Sequence, residues 1–413
     1  MKRRLLPILM TLVLVCALPI WAAFVTSGDV TSPLVSTAGA AELTLQGMID
    51  QANAGDTIKL SSNTEVHATL QITKNLTLDL NGCTLRMTGD GSVLKVSGRA
   101  TLTIQDSSAE GTGTITGGNA VDGGGVYIDN NATLKMTGGC ITGCHASYGG
   151  GGIRSSGNLY MSGTAKIEKC TSNWGSDDAI WNKEGVIYAD GGTVDGMVNS
   201  QGTITCSNGT NANAATVFNK TVYLRGSNQT KRCIEAGTYN GTVENTGSIT
   251  GGTFYGTVRN QKNSMGLNIT GSVTGGTFYG SIVNEVEPEQ VTGGTFAVRF
   301  DTDGGSEIEP TTVKHSRKVQ PPSDPEKSGH TFTGWYLDDE KYNFDIPVTA
   351  PLTLTAKWEK VPSSGGYYYY QPTTDTKTTD TKGSPKTADP GVALYGVLSL
   401  LSLTGLTCTA KKR

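Results

Sequence analysis

The sequence predicts an all-β protein, a solenoid of short parallel strands followed by a small strand-rich module. Three observations carry this expectation. Glycine supplies 55 of the 413 residues, roughly double the usual share of about 7%. Gly and β-branched Thr, which recurs throughout, both disfavour helix. Finally, short segments of alternating apolar and polar residues return at a near-constant spacing, the mark of a stacked repeat. Charged residues make up only 17%, which excludes a coiled coil or a charge-driven disordered chain. A net charge of −3 gives no basic field for nucleic acid, so no nucleic-acid partner is expected.

Residues 1–40 read as an export signal. Lys2-Arg3-Arg4 precedes an apolar run from Leu5 to about Val25, the basic and hydrophobic parts of such a signal. Ala38-Gly39-Ala40 has the small-residue pattern of a cleavage site, and Cys16 follows the bulky Val15, so it reads as part of the apolar run rather than a lipidated residue. Next, the stretch from Leu45 to Ala54, closed by Gly55-Asp56, predicts a short helix covering the first repeat, a device that protects the open end of a stack.

The repeats fill residues 41–297. One series is Leu76-Thr77-Leu78, Leu102-Thr103-Ile104, Leu134-Lys135-Met136, Leu159-Tyr160-Met161 and Val186-Ile187-Tyr188. A second runs through Leu85, Ile115, Ile141, Ile167 and Val194, and a third through Leu94, Val126, Ile153 and Ile180. The period lies near 25 residues: Leu134 to Leu159 is 25, and Cys144 to Cys170 is 26. One three-stranded rung cannot bury its apolar face, whereas a stack of rungs makes a continuous core. With Asn75-Leu76-Thr77-Leu78-Asp79-Leu80-Asn81-Gly82 as an early rung, residues 42–205 resemble the right-handed parallel β-helix family, the fold of pectate lyases and many bacterial surface proteins. The right hand is what that resemblance and the crossover rule imply.

After Gly191 the repeat shortens. Gly251-Gly252-Thr253-Phe254-Tyr255-Gly256 returns as Gly275-Gly276-Thr277-Phe278-Tyr279-Gly280, with weaker copies from Gly191, Ala236 and Gly293. Phe254, Phe278 and Phe296 are expected inside the stack. Tyr255 and Tyr279 are expected outside, either as packing or as a row on which sugar rings stack.

Residues 298–360 form the second module. Phe300, Phe332, Trp335, Phe344 and Trp358 provide a core for about sixty residues, and Asp303-Gly304 is a hairpin signal. With Gly334-Trp335-Tyr336 and Ala356-Lys357-Trp358, the segment resembles the internalin B-type (Listeria–Bacteroides) repeat, which implies a small β-grasp-like fold. Asp301-x-Asp303-Gly304 lacks the later ligands of a calcium loop and reads as a turn.

Residues 361–383, with Tyr367 to Tyr370 and a Thr/Asp/Lys tract, have no hydrophobic period and read as a disordered wall-spanning linker. The end of the chain, 384–413, combines Ser384-Pro385-Lys386-Thr387-Ala388, an apolar segment at 391–408 and Lys411-Lys412-Arg413. The segment is just long enough to span a bilayer with its basic end inside. The whole resembles the cell-wall sorting signal of Gram-positive surface proteins, with Ser384 standing for Leu and Ala388 for Gly. That resemblance implies a sortase that cleaves Thr387–Ala388 and joins Thr387 to peptidoglycan, so sortase and peptidoglycan are the expected partners. A plain membrane anchor is the alternative. Either places the body at the cell surface.

For catalysis, Asp177-Asp178 is the one adjacent acidic pair in the rungs, and paired carboxylates serve glycoside hydrolysis. Its place in the repeat matches the Gly150-Gly151-Gly152 turn of the preceding rung, so a solvated turn is expected. His67, His145, His315 and His330 are scattered, and Cys140 with Cys144 lacks the second pair of a zinc site. No metal or cofactor is expected. Six body cysteines remain: Cys83, Cys140, Cys144, Cys170, Cys206 and Cys233. Cys144 and Cys170 fall at equivalent rung positions, about 5 Å apart, either as stacked free thiols, the favoured state, or as a disulfide. The function expected is a non-catalytic adhesin or binding scaffold for a glycan or host surface. The alternatives are a polysaccharide lyase or glycoside hydrolase in the β-helix groove, and a purely structural display stalk.

Overall fold

The computed structural model describes residues 30–31, 44–173, 175, 177–205, 216–225, 233–261, 271–285 and 290–362. Nearly all of the expected export signal, the expected linker beyond Pro362, the apolar segment 391–408 and Ser384 to Ala388 lie outside the described residues. The chain divides into two units, 1–361 and 362–413, and all the described residues but Pro362 belong to the first.

That unit is a parallel β-helix. Its three faces are long sheets of short strands, and within the helix every face strand pairs in parallel with its equivalent in the next rung. The first face runs from Val30–Thr31 to Ser272–Val273, the second from Thr64–Val66 into the terminal module, and the third from Leu70–Ile72 to Ile282–Asn284. The three segment series read from the sequence are these three faces, in register: Leu102, Leu134, Leu159 and Ile187 stack on the first. Ile115, Ile141, Ile167 and Val194 stack on the second, and Leu94, Val126, Ile153 and Ile180 on the third. All are buried. Alternation of side chains sends their neighbours outward, where Thr84 and Thr114 hydrogen-bond along the ladder at 3.0 Å.

The start of the stack is covered by the helix Leu45–Gln51. Thr44 caps it by accepting from the Gly47 N–H at 3.1 Å, and Leu45 and Ile49 bury one side. The helix stops short of the expected Ala54 because Ala52 is already extended and Lys74 donates to the Asp50 and Ala52 carbonyls. Gln46 pairs its amide with both backbone groups of Gln71 on the edge of the third face, so a side chain occupies the place of a missing strand. On the first face, Val30–Thr31 adds an edge strand to Thr57–Lys59. Residues inside the expected signal segment therefore pair with the first rung.

A fourth, three-stranded sheet was not legible in the sequence. Asn119–Asp122, His145–Gly149 and Thr171–Ser172 pair in parallel between the second and third faces and form a ridge beside the third.

In the shorter rungs the interior is aromatic. Phe218, Tyr239, Phe254, Phe278 and Phe296 form one ladder with centroids 5.0, 4.8, 4.8 and 5.7 Å apart. The three Phe expected inside are there, and the ladder begins two rungs earlier. The Gly-Gly of each copy follows from this packing. Gly276 has φ +98°, and a Cβ there would stand 3.0 Å from the Phe254 ring and 3.1 Å from the Phe278 ring. Beside the aromatic ladder runs an amide ladder, Asn245 to Asn260 to Asn284, each Nδ2 donating to the next Oδ1 at 2.8 Å.

The rod has no break before the terminal module. Strand Thr295–Asp301 is the last rung of the second face at Phe296 and pairs at Val298 to Asp301 with Leu352–Lys360. The 297/298 boundary thus falls inside one strand. His330–Leu337 and Thr311–Lys314 complete a mixed, grasp-like sheet, with no helix among its described residues. Asp303 and Gly304 both have positive φ, 46° and 82°, and Asp301 accepts from the Asp303 N–H at 3.0 Å. The turn is real, but the returning strand starts only at Thr311, so the expected tight hairpin is a longer loop.

Phe254 sits at the middle of the ladder with both ring faces covered. Phe254→Ala is expected to cost about 3–5 kcal/mol, read as a lowered urea midpoint. An unchanged midpoint would mean that the aromatic stack does not hold the shorter rungs together.

Candidate functional site

Carboxylates at the rung corners, Asp79 buried and Asp106 half-buried, have structural work. Asp106 accepts from the Gly82, Ser108 and Gly113 N–H groups at 2.7, 3.1 and 2.6 Å and from the Ser108 hydroxyl at 2.8 Å. Burial pushes its pKa up, but these donors outweigh it and leave the carboxyl below its ordinary value. Asp79 binds the next corner in the same way, through Asn81 and Ser107. Neither residue was singled out by sequence, since an Asp before Ser or Asn reads only as turn composition.

Asp177 and Asp178 part company. Asp177 is exposed. Asp178 is not in the solvated turn expected of it: it opens strand Asp178–Asn182, is 3% exposed, and accepts from the Gly150 N–H at 3.0 Å. It braces the glycine turn of the preceding rung. Burial pushes its pKa up, against the pull of the Ser172 hydroxyl and the Gly150 N–H.

The histidines do not gather. His67 meets Thr88 at 2.5 Å, His145 meets Thr171, and His315 and His330 lie in the terminal module. Among the described residues no group of three or more His, Cys, Asp or Glu is placed to hold a metal ion. Cys144 and Cys170 are buried free thiols in successive rungs. The Cys144 sulfur and burial together push the Cys170 thiol up. Cys206 lies outside the described residues. Tyr255 is 54% exposed and stacks on Tyr279 at 4.9 Å and 9°. The two rings therefore cover one face of each other, and the row has less open ring surface than its sequence implies.

The densest outward cluster is on the third face. Register places Lys95, Tyr127, Arg154, Trp181 and Asn199 in one column. Lys95 lies over the Tyr127 ring at 5.3 Å, and Arg154 lies 4.6 Å from that ring and 5.7 Å from the Trp181 ring. Arg154 also donates to the Tyr127 hydroxyl at 2.7 Å, and only 7% of it is exposed. Such cation–π contacts hold a guanidinium flat. Tyr148, on the ridge and 51% exposed, leans on Trp181 at 5.1 Å. Depressions of about 440 and 340 Å³ flank Tyr127. Sequence reasoning read Val126, Ile153 and Ile180 as the inward members of the third series and gave their neighbours Tyr127, Arg154 and Trp181 no role. Their assembly depends on rung register, which the sequence does not print.

In the terminal module, Trp335 is 3% exposed and packs edge-on against Phe300 and Phe332, while the Trp358 indole donates to the Thr302 carbonyl at 3.0 Å. This aromatic core is where the chain meets a known family. Residues 296–357 match the Listeria-Bacteroides repeat domain. The match covers the module that follows the rod and leaves the residues before 296 unmatched. Two curated proteins of Evansella cellulosilytica are similar over 68 residues each, at 38% and 37% identity. One is provisionally named a membrane protein and the other a Gly-rich membrane protein. The match covers 16% of this chain and 10% and 8% of theirs, so this chain spans about a tenth or less of the curated relatives it matches. No solved structure matches. Among the described residues no helix is long and apolar enough to cross a membrane.

Two measurements test these placements. Because the folded pKa of Asp178 is raised, its contribution to stability is full below the ordinary value of 3.8 and is lost as pH rises through the folded value. Asp178→Asn should therefore gain on the wild type in urea midpoint as pH rises above about 4, and a pH-independent difference would contradict this. Alkylation of the unfolded, unreduced protein should label both Cys144 and Cys170, and protection of the pair would reveal a disulfide.

Proposed function

We propose that the chain is an exported surface protein of a Gram-positive bacterium, joined to peptidoglycan through Thr387 by a sortase. In this reading the β-helix is a rigid, non-catalytic scaffold that acts as an adhesin for a glycan or host surface. The observation that carries it is the unbroken strand Thr295–Asp301, which fuses a Listeria-Bacteroides repeat to a rod bearing an outward cation–aromatic strip. The order of parts supports the same reading: export signal, rod, repeat, linker, then Ser384 to Ala388 before an apolar segment and a basic tail.

Asp178 bears on the choice between binding and turnover. A hydrolase needs two accessible carboxylates facing one bond, separated by roughly 5–10 Å. Asp178 is instead buried against Gly150 while its neighbour faces solvent, which favours binding without cleavage.

Mass spectrometry of wall-digest fragments should find the mature C-terminus at Thr387 bearing a peptidoglycan amine, whereas a terminus beyond Thr387 would sink the sortase attachment. Cells displaying the chain should adhere to a glycan or host-cell surface and release no reducing sugar. Adherence no better than that of a deletion strain would leave only a display stalk, and sugar release lost in Asp178→Asn would establish the hydrolase instead.

A further inference from the structure

We propose that the outward strip of the third face, centred on Arg154 and walled by the Asn119–Asp122 ridge, is a binding site for a neutral, hydroxyl-rich glycan. This deepens the adhesin reading and rests on it.

The chemistry of unpartnered atoms points there. Among the described residues, seven buried side-chain polar atoms lack a hydrogen-bond partner, and five belong to this strip and its ridge: Asp122 Oδ1, Arg154 Nε, Asp178 Oδ1, Trp181 Nε1 and Asn199 Oδ1. They are neighbours by register. Arg154 pairs with Trp181, Trp181 with Asn199, and Asp122 with Gly149. The Gly149 Cα faces the Trp181 ring, and Gly150 donates to Asp178. Native folds leave few buried polar groups unpaired, so a cluster of them in one part of the fold is informative.

The set is mixed. Three of the five are acceptors and two are donors. A phosphate or sulfate would satisfy Arg154 and Trp181 but be repelled by Asp122 and Asp178. A cation would satisfy the carboxylates and face the guanidinium. A hydroxyl both donates and accepts, so a polyol suits a strip whose polar groups are of both kinds better than an ion of either sign does. The charges agree: Lys95 pairs with Asp129 at 3.6 Å, and one depression beside Tyr127 is lined by Arg154 and Lys183 together with Asp129 and Glu184. No field of one sign favours an acidic polymer.

Shape agrees as well. Tyr148 stands beside Trp181 with half its surface open, a flat apolar platform for the C–H face of a sugar ring. The two depressions on either side of Tyr127 give neighbouring sugar units room along the same strip.

The test uses the purified full chain with three neutral probes, cellohexaose, xylohexaose and chitopentaose, and with polygalacturonate as the charged comparison. Titration calorimetry should show binding of at least one neutral probe, with a change in tryptophan fluorescence. Tyr148→Ala and Arg154→Gln should each weaken that binding at least tenfold, while Tyr255→Ala leaves it unchanged. Tyr148 is largely exposed, so its variant keeps the fold, as an unaltered urea midpoint verifies. The proposal is overturned if no neutral probe binds the wild type, if both strip variants bind as the wild type does, or if polygalacturonate binds more tightly. Wall linkage and adherence are measured separately. An adherent, wall-linked chain that binds none of these probes would remove the glycan assignment and leave the surface reading intact.

Discussion

Parallel stacking in strict register is the constraint on which the rest of this molecule depends. Each rung pairs its strands with equivalents about 4.8 Å above and below, so an interior side chain must fit against a near-copy of itself. That requirement selects columns of Leu, Ile and Val in the long rungs. It selects an aromatic column and an asparagine column in the short ones. It also explains how polar residues are tolerated inside the short rungs, where Asn245 and Asn260 satisfy one another along the axis and would each be costly alone.

The same register builds the outward features. A residue repeated at one rung position becomes a stripe down the rod, and different residues at that position become a sequence of chemical contacts. On the third face the succession Lys95, Tyr127, Arg154, Trp181 interleaves cations with rings, each holding the next in place. The ridge sheet raises one wall beside this column because three consecutive rungs carry an extra strand at the same corner. At the far end, the strand Thr295–Asp301 belongs to the rod and the repeat together. The module therefore extends the second face with no flexible joint at that strand.

Much of this was legible from residues alone. The three series of alternating segments give the three faces, because period-two burial writes itself into sequence. Phe254, Phe278 and Phe296 were readable as interior because their copies align. Tyr239 stands in the copy read from Ala236, at the place of Phe254, but was not counted as interior; Phe218 escaped notice because its copy diverges around it, and the ridge escaped because Asn119 to Asp122 is exposed along much of its length and carries no alternating apolar signal. Asp178 was misplaced for a related reason. A one-residue bulge between Asp178 and Ile180 moves the acid out of its apparent turn and under Gly150.

Sequence by itself determined the repeat, its approximate period, the inward residues of each face and the identity of the terminal module, since each depends on local spacing or on a compact motif. Tertiary structure alone decided which outward residues meet. Tyr127, Arg154 and Trp181 are 27 residues apart at each step, and a slip of one residue in a rung would send every side chain of that strand to the opposite face. Only the closed stack, with its bulges and its ridge counted, brings a buried guanidinium, two rings and unpaired carboxylate oxygens onto one strip.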